Sequence, residues 1–201
     1  MGVHRIIEQR AAAHGDLTAI SDEGVTLSYR ELNQRANAVA RHLIANGFRR
    51  GSLATVRLPR SPATAIVLLG ILKAGGTYAL VDDEPVTGAA WPRGVAFAQK
   101  AEGDEMRFLA IDVASALEHP SQSCANLPIL ARGSDVACVL PDRDGTLLVH
   151  VPHETITALQ HQPVTGFARW TGEPGALDLW VALMTGATVT LGSESLHSAA
   201  A

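Results

Sequence analysis

Residues 61–76 read SPATAIVLLGILKAGG. Serine followed by proline starts a helix: the hydroxyl takes an unpaired first-turn amide, and proline at the first helical position gives up only an amide that had no partner. Gly75-Gly76 ends it. Between these signals Ala65, Ile66, Val67, Leu68, Leu69, Ile71 and Leu72 leave no polar face. A helix that is apolar nearly all round has to be enclosed by other elements. The chain can meet that demand, because 201 residues with 47% hydrophobic and 18% charged composition support one domain with a sizeable core.

The flanks say what encloses it. Residues 53–58 and 77–81 are short runs with β-branched members. Strand, helix and strand with short connections predict a βαβ unit and therefore a parallel sheet. Upstream, Ser28-Tyr29-Arg30-Glu31 is a capping box, followed at helical spacing by Leu32, Ala36, Val39, Leu43 and Ile44 and stopped by Asn46-Gly47. Arg30, Arg35 and Arg41 then fall largely on the solvent side. Downstream, residues 82–94 read as a surface loop, 95–101 as a short helix, 108–111 as a strand and 121–133 as a connector. Strands are predicted over 136–140 and 146–151, helices over 154–160 and 176–184, the latter stopped at Gly186, and a last strand over 187–191. Residues 192–201 are small and polar and are expected to fray as a disordered tail. The fold class is α/β with one core, carried by residues 1–191 as a parallel or mixed sheet flanked by helices.

Several function classes are excluded by composition. A formal net charge of −4 leaves no basic field for nucleic acid or an anionic membrane. The longest apolar run, 65–72, is too short to span a bilayer, no charged leader with an apolar segment opens the chain, and Ile6 stands where a myristoylation motif needs Ser or Thr. Cys124 and Cys138 lie far apart with no histidine at metal spacing, as expected of core or loop thiols in a reducing cytoplasm. His150 and His153 are three apart but straddle a strand end and a proline, so chance placement is favoured over a metal site.

Three stretches, VHRIIEQRAAAHGDLTAI, LSYRELNQRANAVARHLIANGF and VRLPRSPATAIVLLGILKAGGTYALVD, resemble the opening of an amino-acid-adenylating domain of nonribosomal peptide synthetases, in the AMP-binding superfamily. LSYREL is similar to that family's first core motif and LKAGGTYALVD to its second, with a departure at Ala79-Leu80 where a proline is common. WPRGVAFA, DVACVL with VHVPHETI, and LWVALMTGATVTL resemble later segments. The two amino-terminal motifs are also explained by packing alone, so the resemblance implies the amino-terminal portion of the adenylation fold and carries little weight for activity.

The family's phosphate loop, of the pattern TSGSTGxPKG, is where activity is decided. Small residues let backbone amides approach a triphosphate, hydroxyls add donors and lysine adds positive charge. Here that interval holds Pro141-Asp142-Arg143-Asp144-Gly145-Thr146, with no lysine and two aspartates against one arginine. Asp-Gly between β-rich runs predicts a hairpin turn in place of a phosphate cradle. The resemblance also implies a substrate-gripping aspartate, and its place aligns with Gly172-Glu173; Glu173, followed by Pro174-Gly175, is read as a loop residue. The family's ribose-binding aspartate and catalytic lysine map to nothing in this chain. No residue is therefore assigned a catalytic, cofactor-binding or metal-binding role, and no cofactor is expected. The expected function is a non-catalytic, truncated adenylation domain serving as a structural or docking element, with condensation or carrier domains, or a second copy, as partner. The alternatives are half of a split ligase completed by another chain, which Asp142 and Asp144 disfavour, and a small-molecule-binding module.

Overall fold

The computed structural model describes residues 1–22, 24–56, 58–80, 95–97, 125–141, 148–161, 166–171 and 176–191. In chain order the elements are α1 (Val3–Ala13), β1 (Thr18–Asp22), β2 (Val25–Ser28), α2 (Tyr29–Ala45), β3 (Leu53–Val56), α3 (Pro62–Lys73), β4 (Thr77–Leu80) and β5 (Val95–Phe97). They continue with β6 (Val136–Pro141), β7 (Leu148–Pro152), α4 (His153–Ala158), a 3-10 turn (Leu159–His161), β8 (Phe167–Arg169), α5 (Leu177–Thr185) and β9 (Thr188–Thr190).

Helix α3 forms from the local signals expected of it. Ser61 Oγ accepts the Thr64 amide at 3.2 Å and Pro62 occupies the first turn. Every apolar side chain from Ala65 to Leu72 is buried, so the helix is enclosed on all sides. The enclosing elements are α2, α1, β4 and β1. Helix α2 comes close because residue 70 is glycine: a Cβ there would lie 2.6 Å from Val39 Cγ1, inside contact distance. The α2 start is the capping box itself, with Glu31 N–H donating to Ser28 Oγ at 3.2 Å and Ser28 N–H donating to Glu31 Oε2 at 2.9 Å. At the other end of α3, Gly76 makes room for a ring, since a Cβ there would meet Phe48 Cε1 at 2.1 Å.

Two sheets share one core cluster. The five-stranded sheet has the order β5-β3-β4-β6-β7. Strands β5, β3, β4 and β6 run parallel, and β7 returns antiparallel to β6 with Pro141 opposite Leu148. The β3-α3-β4 unit is the βαβ crossover read from the sequence. The four-stranded sheet, β2-β1-β9-β8, joins the two ends of the chain, β1 running parallel to β9 with Ile20 opposite Val189. Side chains reinforce that closure. The Tyr29 hydroxyl sits 3.1 Å from the Leu183 carbonyl and 2.9 Å from that of Ala187, and Arg10 Nε donates to the Met184 carbonyl at 3.0 Å in the last turn of α5.

One expectation is corrected. The sequence predicts a helix over 95–101, yet Val95–Phe97 is strand β5, paired along β3 from Ala54 to Val56, while 98–101 lie outside the described residues. A β-branched residue and an aromatic beside an unpaired sheet edge satisfy their backbone groups by pairing, which outweighs a weak local preference. The expected strand over 108–111, the connector at 121–124 and the tail at 192–201 lie outside the described residues. No helix among the described residues is long and apolar enough to cross a membrane.

A buried ion pair lies deep in this core. Lys73 closes α3 with its ammonium buried, and Nζ donates to Glu8 Oε1 of α1 at 2.5 Å. Glu8 also accepts from Arg5 Nη1 at 2.9 Å. Burial pushes the Lys73 pKa down and the Glu8 carboxylate opposes that shift. Breaking such a pair costs more than never having had it, because the surviving charge is left desolvated and alone.

Two outcomes follow for urea denaturation. Leu69 is fully enclosed in α3, so Leu69→Ala should cost about 2–5 kcal/mol through lost burial and the cavity left behind; a loss below about 1 kcal/mol would place the helix at the surface. Glu8→Ala should cost about 3–5 kcal/mol, while Glu8→Leu combined with Lys73→Met should recover most of that loss. Equal losses in the single and double variants would show that the pair contributes nothing specific.

Candidate functional site

In open parallel sheets ligands lodge beyond the carboxyl ends of the strands, where the loops diverge. In the five-stranded sheet those ends are Val56, Leu80, Phe97 and Pro141. The loop after β6 holds Asp142, Arg143, Asp144, Gly145 and Thr146, and it lies outside the described residues, as do Gly172, Glu173, Pro174 and Gly175. The β6–β7 pairing defines the stem of that loop as an antiparallel pair ending at Pro141 and Leu148. The hairpin expected from the sequence is therefore present up to that stem.

What is described at this edge is a set of locally satisfied polar groups. The amino terminus of α3, a potential anion site, is occupied by its own residues: Ser61 Oγ takes the Thr64 amide, and Thr64 Oγ1 donates to the Pro59 carbonyl at 2.5 Å. Beside it, the Arg60 guanidinium donates to the Thr171 carbonyl. Thr171 in turn is held by Asp178 in the first turn of α5, its amide and hydroxyl donating to Oδ2 at 2.7 and 2.8 Å. Asp178 Oδ1 accepts the Leu179 amide at 2.9 Å. An acidic residue in a first helical turn suits the positive end of the helix dipole. The Arg60–Thr171–Asp178 chain links the start of α3 to the start of α5. It escaped the sequence reading, although an aspartate opening an apolar helical run was its available signal.

Beneath this edge the core is sealed. Trp180 Nε1 donates to the Tyr78 hydroxyl at 2.5 Å, and Tyr78 stands opposite Cys138 across the β4–β6 pairing. Burial pushes the Cys138 thiol up to about 12 and the Tyr78 phenol well above its usual range. Both groups are thereby held in their protonated forms at neutral pH. Cys138 is thus a core thiol, as expected, while Cys124 lies outside the described residues.

A groove of about 610 Å3 opens at the opposite edge, near the amino ends of β3, β4 and β6. Leu53, Val136 and Val139 line its apolar part, and Arg50, Asp135 and His150 are among its polar residues. Arg50 and Asp135 form a two-point ion pair at 2.8 and 2.7 Å, and Arg50 holds the Asp135 carboxyl down at about 2. The guanidinium charge is thereby matched, so the groove presents little net attraction for a polyanion. His150 and His153 part company: His150 is exposed on β7 and His153 is buried at the start of α4. Among the described residues no group of three or more His, Cys, Asp or Glu could hold a metal ion.

With this geometry in hand, comparisons with known proteins place the chain. The family model "AMP-binding enzyme" matches residues 7–160, well over half of the sequence. Surfactin synthase subunit 2 of Bacillus subtilis is 37% identical over 112 residues, 56% of this chain and 3% of that protein. Tyrocidine synthase 1 of Brevibacillus parabrevis is 40% identical over 82 residues, 41% of this chain and 8% of that protein. Among solved structures, Klebsiella oxytoca NpsA in complex with 3-hydroxyanthranilyl-AMSN superposes with a TM-score of 0.80 at 21% identity, over 96% of this chain and 42% of that one. The NpsA amino-terminal subdomain with the same compound gives 0.78 at 20% identity, over 95% and 53%. The chain thus spans about half of the solved subdomain and a small part of each synthetase. It belongs to the AMP-binding enzyme family, with part of the fold of the amino-terminal subdomain of nonribosomal peptide synthetase adenylation domains.

Proposed function

We propose that this chain is a non-catalytic adenylation-type domain, a structural or docking element in nonribosomal peptide biosynthesis that does not use ATP. The observation that carries this reading is the chemistry of residues 142–147, strung between the paired ends Pro141 and Leu148 at the carboxyl edge of the sheet. That interval offers one hydroxyl, one glycine and one arginine against two aspartates, and no lysine. A carboxylate about 5 Å from a phosphate charge repels it by roughly 3 kcal/mol at an effective dielectric constant near 20. One arginine offsets one aspartate and leaves the other opposed to a triphosphate. The donor set therefore does not fit the group that the family name implies. The α3 amino terminus, capped by Ser61, offers no evident substitute.

A docking role draws support from the surface. Among the described strands β2 and β8 edge the four-stranded sheet, and they carry exposed Val25 and Phe167, the latter 74% exposed. Open edges with large apolar side chains are surfaces that soluble proteins tend to cover. The fitting cover is a neighbouring condensation or carrier domain, or a second copy.

Calorimetric titration with ATP and magnesium, and amino-acid-dependent pyrophosphate exchange, test the first half of the proposal. No binding heat at up to millimolar ATP and exchange equal to a buffer blank are expected. Micromolar binding, or exchange above the blank, would overturn it.

A further inference from the structure

Helix α1 lacks an amino-terminal cap from its own sequence. Its cap position is Gly2, which has no side chain to accept a first-turn amide. The acceptor comes from 150 residues away: Val3 N–H donates to His153 Nδ1 at 3.3 Å. A backbone amide can only donate, so Nδ1 must be the unprotonated nitrogen and the neutral ring carries its proton on Nε2. That Nε2 is buried with no hydrogen-bond partner among the described residues, and so is Nδ1 of the neighbouring His4. The two rings meet edge to face with centroids 5.6 Å apart. Both residues are buried, His4 in the first turn of α1 and His153 as the first residue of α4.

We infer that His153 and His4 form an acid-sensitive latch: as neutral rings they cap α1 and hold it against α4, and their protonation releases α1. Three effects act in the same direction. An imidazolium has no lone pair on Nδ1, so protonated His153 loses its hold on the Val3 amide. A cation at that place also faces the positive end of the α1 dipole. Two imidazolium rings 5.6 Å apart in the core repel each other and lack water.

The surrounding charges do not rescue the protonated state. Lys73 of α3, Arg5 of α1 and the Met1 amino group all oppose a charge on His4. Glu8, the acid on α1, is already shared between Lys73 and Arg5. Asp135, ahead of β6, favours a charge on His153, but it is held in the two-point pair with Arg50. Glu154, next along α4, lies toward Gly133. Burial accordingly pushes His4 down to about 3 and His153 down to about 4, from an ordinary 6.5. The sign follows from linkage: where α1 is released, the rings bind protons near pH 6.5, and where it is docked they do not. Docking is therefore at full strength above about pH 6.5 and weakens as pH falls, down to about 4 for His153 and about 3 for His4.

Amide hydrogen exchange on the full chain reads the latch. After correction for intrinsic rates, protection of α1 amides should fall roughly 500-fold from pH 7 to pH 5, a little over 20-fold from each histidine; α3 interior amides, which exchange only through complete unfolding and feel the same proton uptake, should stay better protected than α1 at both pH values. His153→Asn supplies a side-chain oxygen that can accept the Val3 amide without titrating, so its loss should shrink to roughly 20-fold. Should that variant fail to fold, imidazole NMR of the unaltered protein decides: His4 and His153 should remain neutral at pH 5. A flat α1 protection profile, α1 amides as well protected as those of α3 at pH 5, an unchanged profile in His153→Asn, or titration of either buried ring near 6.5 would each overturn the latch.

Discussion

A helix without a polar side dictates what can stand around it. Helix α3 buries every apolar residue from Ala65 to Leu72, so α2, α1, β4 and β1 must close over it. Its residue types set how closely they do so. Gly70 admits Val39 of α2, and Lys73, the one charge in the last turn, cannot reach water and takes Glu8 from α1. Burial of a Leu or Ile side chain contributes about 1.5–3 kcal/mol, and α3 carries a row of them, so little else in the chain competes with enclosing it. The position of α1 follows from that enclosure. Through Arg10 and Tyr29 of the adjoining helices, so does the position of α5.

This arrangement separates the fold from the chemistry that the family name describes. The packing residues lie between the strands and helices, and the phosphate-binding function lies in loops at the carboxyl edge of the sheet. Tyr78, Trp180 and the α3 face belong to the packing, whereas Asp142 and Asp144 belong by sequence to a loop. A strong resemblance in the amino-terminal half therefore coexists with a loop interval of two aspartates, one arginine and no lysine. The superposition at about one-fifth identity is consistent with packing being retained where individual residues are not.

Elements defined by neighbours in sequence were legible. The capping box at Ser28 and Glu31, the Ser61-Pro62 start and the parallel β3-α3-β4 crossover depend on residues within a turn or a short loop of one another. Elements defined by distant partners were not. Helix α1 has apolar residues at helical spacing, Val3, Ile6, Ile7 and Ala11, but nothing nearby says that β1 behind it pairs with β9. Strand β5 exists because the β3 edge is there to receive it. The role of His153 was hidden for the same reason: beside His150 it looks like a chance histidine, and only the fold brings it to the uncapped amide of Val3. The candidate site was legible as composition alone, since Asp142 to Thr146 and Glu173 lie outside the described residues.

The central claim is that enclosure of α3 organises the rest of the molecule. Native-state hydrogen exchange at neutral pH, set beside urea unfolding of the same chain, tests it most directly. If α3 is the buried centre, amides in its interior turns should exchange only through complete unfolding, with opening free energies equal to the unfolding free energy from urea. Exchange of those amides through openings several kcal/mol cheaper than global unfolding, with slower exchange elsewhere, would contradict the account.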